Sequence, residues 1–286
     1  MKNDSSLLVR YAFLGIVLIV SLGLTTFVTG KSLLKEQENL SEPDTDFATA
    51  DGGGCNIAVI PVVGQLWASE ADATAQTASD NSSNVSAEDI LQKIERAQDD
   101  SSIKGVVLRI DSPGGSAVGG NLIANALKRL DKPSVALIWD EGDSAAYLAA
   151  TGANEIIASP SSNIGDIGVT SSYLDQSQAD AKNGQKFISI AAGEFKDVGD
   201  PDNPLTPAGY ALLQKQVDEM YQNFVDEVAQ NRSLSVGAVK QLANGVPYIA
   251  SAASSTGLID ALGDSETARA WFEQKLGKGS DPVLCE

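Results

Sequence analysis

The chain predicts an α/β fold built on a largely parallel sheet with helices packed on it, and three observations carry that prediction. Short apolar runs rich in β-branched residues recur along the sequence. Segments with helical periodicity lie between them, and Gly-rich corners separate the two. Strands that alternate with helices in this way form parallel sheets buried on both faces.

The elements follow in order. NIAVIPVVG (56–64) reads as the first strand. The polar, Ala/Ser-rich stretch 68–86 reads as a long mobile loop. Ser86, with Asp89 three residues on, marks a helix start, and Ile90, Leu91, Ile94 and Ala97 give that helix one apolar face. KGVVLRID (104–111), PSVALIWD (133–140), NEIIASP (154–160) and KFISI (186–190) are the further predicted strands. NLIANALKRL (121–130) and SAAYLAATG (144–152) are helix-like. Thr206 as cap and Pro207 at the first helical position open a long helix. Tyr210, Leu213, Val217, Met220, Phe224 and Val228 recur along it at helical spacing, through about Gln230. No repeat of 20–50 residues is present.

Ahead of this domain, residues 11–29 form an uncharged, mostly apolar run, close to the roughly 20 residues that span a bilayer. It ends in TGKSLLKEQE without an A-x-A cleavage signal, which favours an uncleaved transmembrane helix over a signal peptide. Lys2 and Arg10 before it and Lys31 and Lys35 after it leave its orientation a tie. The predicted organisation is a tip and transmembrane anchor (1–30), a flexible acidic linker (31–54) and one folded domain (55–286).

Composition excludes several functions. A net charge of −18 argues against nucleic-acid partners, which want clustered Lys and Arg. The chain has no histidine, so a Ser-His-Asp triad, a Cys-His dyad and His-containing metal sites are impossible. No metal or cofactor site is expected. Cys55 and Cys285 flank the folded domain, where a disulfide between them and two free thiols are both compatible with the sequence.

Two corners could carry chemistry. IDSPGGSAVGG (110–120) reads as strand, Gly-Gly turn and helix start, a geometry whose backbone N–H groups can stabilise an oxyanion. By itself the Gly-Gly pair fits a plain strand-to-helix turn better. Ser144 follows the next strand at a similar corner, as nucleophile or as simple capping serine. Without histidine its proton needs another acceptor, and a neutral lysine is a strong base once burial lowers its pKa. Lys196, beside Phe195 in a Gly/Pro-rich loop, is the best placed of the lysines. Lys128, Lys132, Lys182, Lys215 and Lys240 read as solvated.

Taken together, LRIDSPGG (108–115), SAAYLAATGANEIIASPSSNIGDIGV (144–169), GEFKDVGDP…LTPAGYALLQ (193–214) and GLIDALGD (257–264) resemble the signal peptide peptidase SppA family. These are membrane-anchored serine peptidases with a Ser-Lys dyad and a fold of the ClpP/crotonase type. The resemblance implies Ser144 as nucleophile, Lys196 as general base, and the N–H groups of Gly114 and Gly115 as oxyanion hole. It further implies a catalytic domain on the extracytoplasmic side of the cytoplasmic membrane. Homo-oligomers whose Ser and Lys can come from neighbouring subunits, and signal-peptide remnants or other unfolded peptides as substrates, follow from the same source.

Three departures bear on this. The family's A-S-G-G-Y is here Asp143-Ser144-Ala145-Ala146-Tyr147, and its G-S-I-G-V is Gly165-Asp166-Ile167-Gly168-Val169. A carboxylate at 166 in place of a lysine-orienting hydroxyl would raise the pKa of Lys196 and oppose its use as a base. The third is NGVPYIASAA (244–253), where the family has a G-R-V-Y-T-G-like segment. Two other functions share this sequence: a catalytically silent scaffold or peptide-binding protein, and a crotonase-like acyl-CoA enzyme. The apolar anchor and the lack of a basic phosphate patch count against the second.

Overall fold

The computed structural model describes residues 54–80 and 83–285, so the predicted anchor at 11–29 lies outside the described residues. Among the described residues no helix is long and apolar enough to cross a membrane. The chain opens with β1 (Ile57–Val63), β2 (Gln65–Trp67), α1 (Glu70–Asp80), β3 (Asn84–Ser86), α2 (Ala87–Asp99) and β4 (Gly105–Ser112). It continues through α3 (Ala117–Arg129), β5 (Ser134–Asp143), α4 (Ser144–Ala150), β6 (Glu155–Ala158), β7 (Asn163–Gly165) and α5 (Ser177–Lys182). Last come α6 (Pro207–Asn231), α7 (Val236–Leu242), β8 (Pro247–Ile249), α8 (Ala250–Ala253), β9 (Ala261–Leu262), α9 (Ser265–Leu276) and β10 (Leu284–Cys285).

The main sheet runs β10-β1-β4-β5-β6-β9, with every one of those pairings parallel, as the alternation predicts. β7 extends the far end of β5 and pairs antiparallel with β8. Period-two alternation divides the strands between two faces. Ile57, Val107, Val135, Leu137 and Ile157 pack with Ala268 and Phe272 of α9. Ala58, Ile60, Val106, Leu108, Ala136 and Ile138, the alternate residues, are buried on the other face. This is a mixed α/β fold with a sheet flanked by helices.

Local chemistry sets the boundaries. Ser86 caps α2 by accepting from Asp89 N–H at 3.0 Å, and Thr206 caps α6 by accepting from Gly209 N–H at 3.0 Å. Lys132 does not stand free as the sequence suggests. Its Nζ donates to the carbonyls of Ala97 and Asp100, each at 2.6 Å, closing the C-terminal end of α2.

Two predicted segments come out differently. The stretch 68–86 is no loop: it forms α1, and β3 pairs in parallel with β2. Alanine's high helix propensity and acids in the first turn outweigh the polar composition, and Ser69 Oγ accepts from Asp72 N–H at 3.2 Å as a cap. KFISI is not a strand but exposed coil, with Ile190 98% exposed. A strand needs a neighbour for its ladder hydrogen bonds, and none pairs with it among the described residues.

Cys55 and Cys285 form a disulfide with Cα atoms 5.2 Å apart, which ties the start of β1 to β10 across 230 residues.

Candidate active site

β4 and β5 end side by side, and their corners build the site. After β4, Gly114 (φ +97) and Gly115 (φ +141) make the turn into α3, whose cap Ser116 accepts from Gly119 N–H at 3.2 Å. After β5, Ser144 is the first residue of α4 and sits at φ +50, a left-handed conformation that side chains rarely adopt. The two corners touch. A Cβ on Gly114 would lie 2.7 Å from Ser144 Cβ and 2.8 Å from Asp143 O, so only glycine fits. Gly120 likewise allows α3 to pass against the carbonyl of Ala145, which a Cβ would approach to 2.3 Å.

Ser144 is half-buried at the edge of a cleft of about 490 Å³ lined also by Gly115, Ala145, Leu148, Asp166, Val169 and Phe224. Gly114 N–H donates to the buried Ser112 Oγ at 3.2 Å. Gly115 and Ala145, the residues on either side of this junction, both line the cleft. Ala145 N–H is a first-turn amide that α4 itself leaves without a partner. The sequence reading missed Ala145. The signal that would have found it is the serine corner itself, where the amide after the nucleophile supplies an oxyanion donor.

Two carboxylates stand next to Ser144. Asp143, 7% exposed, does not cap α4, and its Oδ1 has no hydrogen-bond partner. Burial first, then Asp166 and Glu141, push its pKa up to about 6. Asp166, at φ +47 on the cleft wall, is also raised by burial.

Lys196 lies elsewhere in the single chain. It is exposed, on a segment that is largely exposed from Ser171 to Lys196, and it is not among the residues lining the Ser144 cleft. The structure therefore brings together Ser144, Gly114, Gly115 and Asp166, and leaves Lys196 outside that group.

The corner places Ser144 in left-handed backbone where a strand of the parallel sheet passes into a helix, in a mixed α/β protein. The profile of peptidase family S49 matches residues 126–278, and the chain belongs to that family. Its relatives include the serine protease SPPA, chloroplastic, of Arabidopsis thaliana, 33% identical, covering 68% of this chain and 29% of that protein. A signal peptide peptidase SppA of Enterococcus faecium is 32% identical over 63% of this chain and 54% of that one. Protease 4 of Haemophilus influenzae is 27% identical over 80% of this chain and 36% of its own length. The chain thus spans less than two thirds of these relatives. Among solved structures, a ClpP1 mutant from Listeria monocytogenes superposes with a TM-score of 0.46 at 12% identity, over 72% of this chain and 91% of that one.

Proposed function

We propose that this protein is a membrane-anchored serine endopeptidase that cuts signal-peptide remnants or other unfolded peptides with Ser144 as nucleophile and Lys196 as general base. The observation that carries the reading is Ser144, held in left-handed backbone on a cleft that Gly115 and Ala145 also line. In the reaction Lys196 Nζ takes the Ser144 hydroxyl proton, Oγ adds to the peptide carbonyl, and the backbone amides stabilise the oxyanion. The lysine then returns the proton to the leaving amine, and water releases the acyl group. Residues 11–29 anchor the chain in the cytoplasmic membrane, with the domain on its extracytoplasmic side.

The base comes from a neighbouring copy of the chain. This is supported by the segment that carries Lys196, which exposes Leu174, Ile188 and Ile190 by 72%, 71% and 98%. Apolar side chains so exposed gain from burial against a partner. The second reading, a peptide-binding scaffold without turnover, is favoured by the position of Lys196 outside the Ser144 cleft.

The test is hydrolysis of a small-residue-rich fluorogenic peptide by the full-length protein. Ser144→Ala and Lys196→Ala are each expected to lose about 1,000-fold or more. Co-assembly of the two inactive variants is expected to restore part of the activity. Equal turnover by wild type and Ser144→Ala would rule out the enzyme and leave the scaffold.

A further inference from the structure

The Gly-Gly corner is held from outside the main sheet. β2 lies along it: Leu66 N–H donates to Gly114 O at 2.8 Å, and Ser116 N–H donates to Leu66 O at 2.7 Å, a parallel bridge centred on Gly115. No peptide bond among the described residues is cis, and across a trans peptide the C=O and the N–H point in opposite directions. Gly114 O is turned towards Leu66, so the Gly115 N–H of the same peptide unit is turned away from it. Gly114 offers no substitute, because its own N–H already donates to the buried Ser112 Oγ at 3.2 Å.

The side of Gly115 that faces β2 is filled, since a Cβ there would lie 2.2 Å from Leu66 O. Gly115 also lines the Ser144 cleft, and having no side chain it presents only backbone there. Among the described residues no acceptor takes up its N–H. Two glycines in sequence leave the peptide between them free to turn over, because glycine tolerates backbone angles that other residues avoid. The bond from Leu66 opposes that turn, since it would be lost. β3 keeps β2 in place: Gln65 N–H donates to Ser83 O at 3.0 Å, and Trp67 Nε1 donates to Asn84 Oδ1 at 2.9 Å. Leu66 itself is fully buried, over Gly119 of α3.

Resting on the peptidase reading above, we propose that β2 orients the oxyanion donor: the Leu66 backbone holds the Gly114–Gly115 peptide with the Gly115 amide towards the cleft, and Trp67 and Asn84 hold β2. None of these three residues lines the cleft, so each is a positioning residue that acts through Gly115.

The test replaces Leu66 by its α-hydroxy counterpart in the full-length protein, which turns the amide into an ester, deletes the donor to Gly114 and keeps the side chain. On the fluorogenic peptide kcat is expected to fall about tenfold or more with KM within about twofold, because the oriented amide acts on the tetrahedral oxyanion and not on the bound peptide. Affinity for a peptide boronate, which becomes a tetrahedral anion on the serine, should fall by a similar factor, and affinity for the same peptide with a plain carboxylate end should not change. Trp67→Phe and Asn84→Ala should lower kcat in the same sense, and Asn84→Asp, which keeps the acceptor, should restore it. The same ester at Val106 deletes its bond to Pro133 O (3.0 Å) at the far end of β4, controls for lost stability, and should leave kcat unchanged. Unchanged kcat in the Leu66 ester, or an equal fall in the Val106 ester, overturns the positioning role and leaves the peptidase reading standing. A raised KM at unchanged kcat overturns it as well. Wild type that neither cuts the peptide nor binds the boronate better than Ser144→Ala overturns the peptidase reading and the positioning role with it. Should the Leu66 ester not fold, Trp67→Phe and Asn84→Ala against Asn84→Asp decide by the same separation of kcat from KM.

Discussion

Ser144 holds a left-handed backbone that costs a residue with a side chain on the order of 1 kcal/mol, and glycine nearly nothing. Ser144→Gly should therefore raise stability by about 1 kcal/mol in urea denaturation while abolishing cleavage, whereas Ser144→Ala abolishes cleavage with no such gain. Asp143 gives a second prediction at this scale. Folding lifts its pKa from 3.8 to about 6, so the folded state binds its proton more tightly than the unfolded state. Its contribution is fully present below about 3.8 and is lost as pH rises through about 6. Asp143→Asn should raise Tm by a few degrees at pH 7.5 and by little at pH 4, read by calorimetry at both. Serine and both aspartates were legible as candidates in the sequence. What was not legible is that Asp143 and Asp166, 23 positions apart, come close enough for Asp166 to raise the pKa of Asp143, because strand pairing decides that.

At the scale of elements, the end of α6 is fastened by one side chain. Arg232 reaches both carboxylate oxygens of Asp260 at 2.7 and 3.0 Å and donates through Nε to Gly257 O at 3.0 Å. Asp260 also accepts from Ile156 N–H at 2.8 Å, which links this corner to the edge of the sheet. The buried Tyr147 hydroxyl donates to Leu258 O at 2.8 Å, bringing α4 to the same loop. Arg232→Ala should cost about 2 kcal/mol or more in urea denaturation, since it strands a partly buried carboxylate and a carbonyl. Core strands and the helix caps at Ser86 and Thr206 were readable from pattern, since each depends on neighbours within a few residues. α1 was not, because its polar, small residues resemble a linker until helix propensity is weighed. KFISI misled in the opposite sense: β-branched content favours a strand only where another strand is available to pair.

For the whole molecule, the disulfide between Cys55 and Cys285 closes nearly the full length of the domain. Cross-linking so long a loop restricts the unfolded chain strongly, and Cys55→Ala with Cys285→Ala should lower stability by about 2–4 kcal/mol. Unfolding with and without reductant checks it: the paired variant should match the reduced wild type, and neither should respond to further reductant. The exposed segment that ends at Lys196 belongs to this scale too. Among the described residues nothing covers its apolar side chains, and the co-assembly experiment reads whether a second copy supplies that cover.

The sequence by itself determined the alternation of strands and helices, the positions of the Gly-Gly and Ser144 corners, the absence of any histidine-based mechanism and the family resemblance. All of these are properties of local pattern and residue type. Only the tertiary structure decided that the two cysteines pair, that Ala145 joins the backbone groups at the cleft, that two aspartates meet beside Ser144, and that Lys196 stands away from it. Those depend on which distant segments come into contact, and contact is set by how the sheet orders its strands, a quantity that no local stretch of sequence contains.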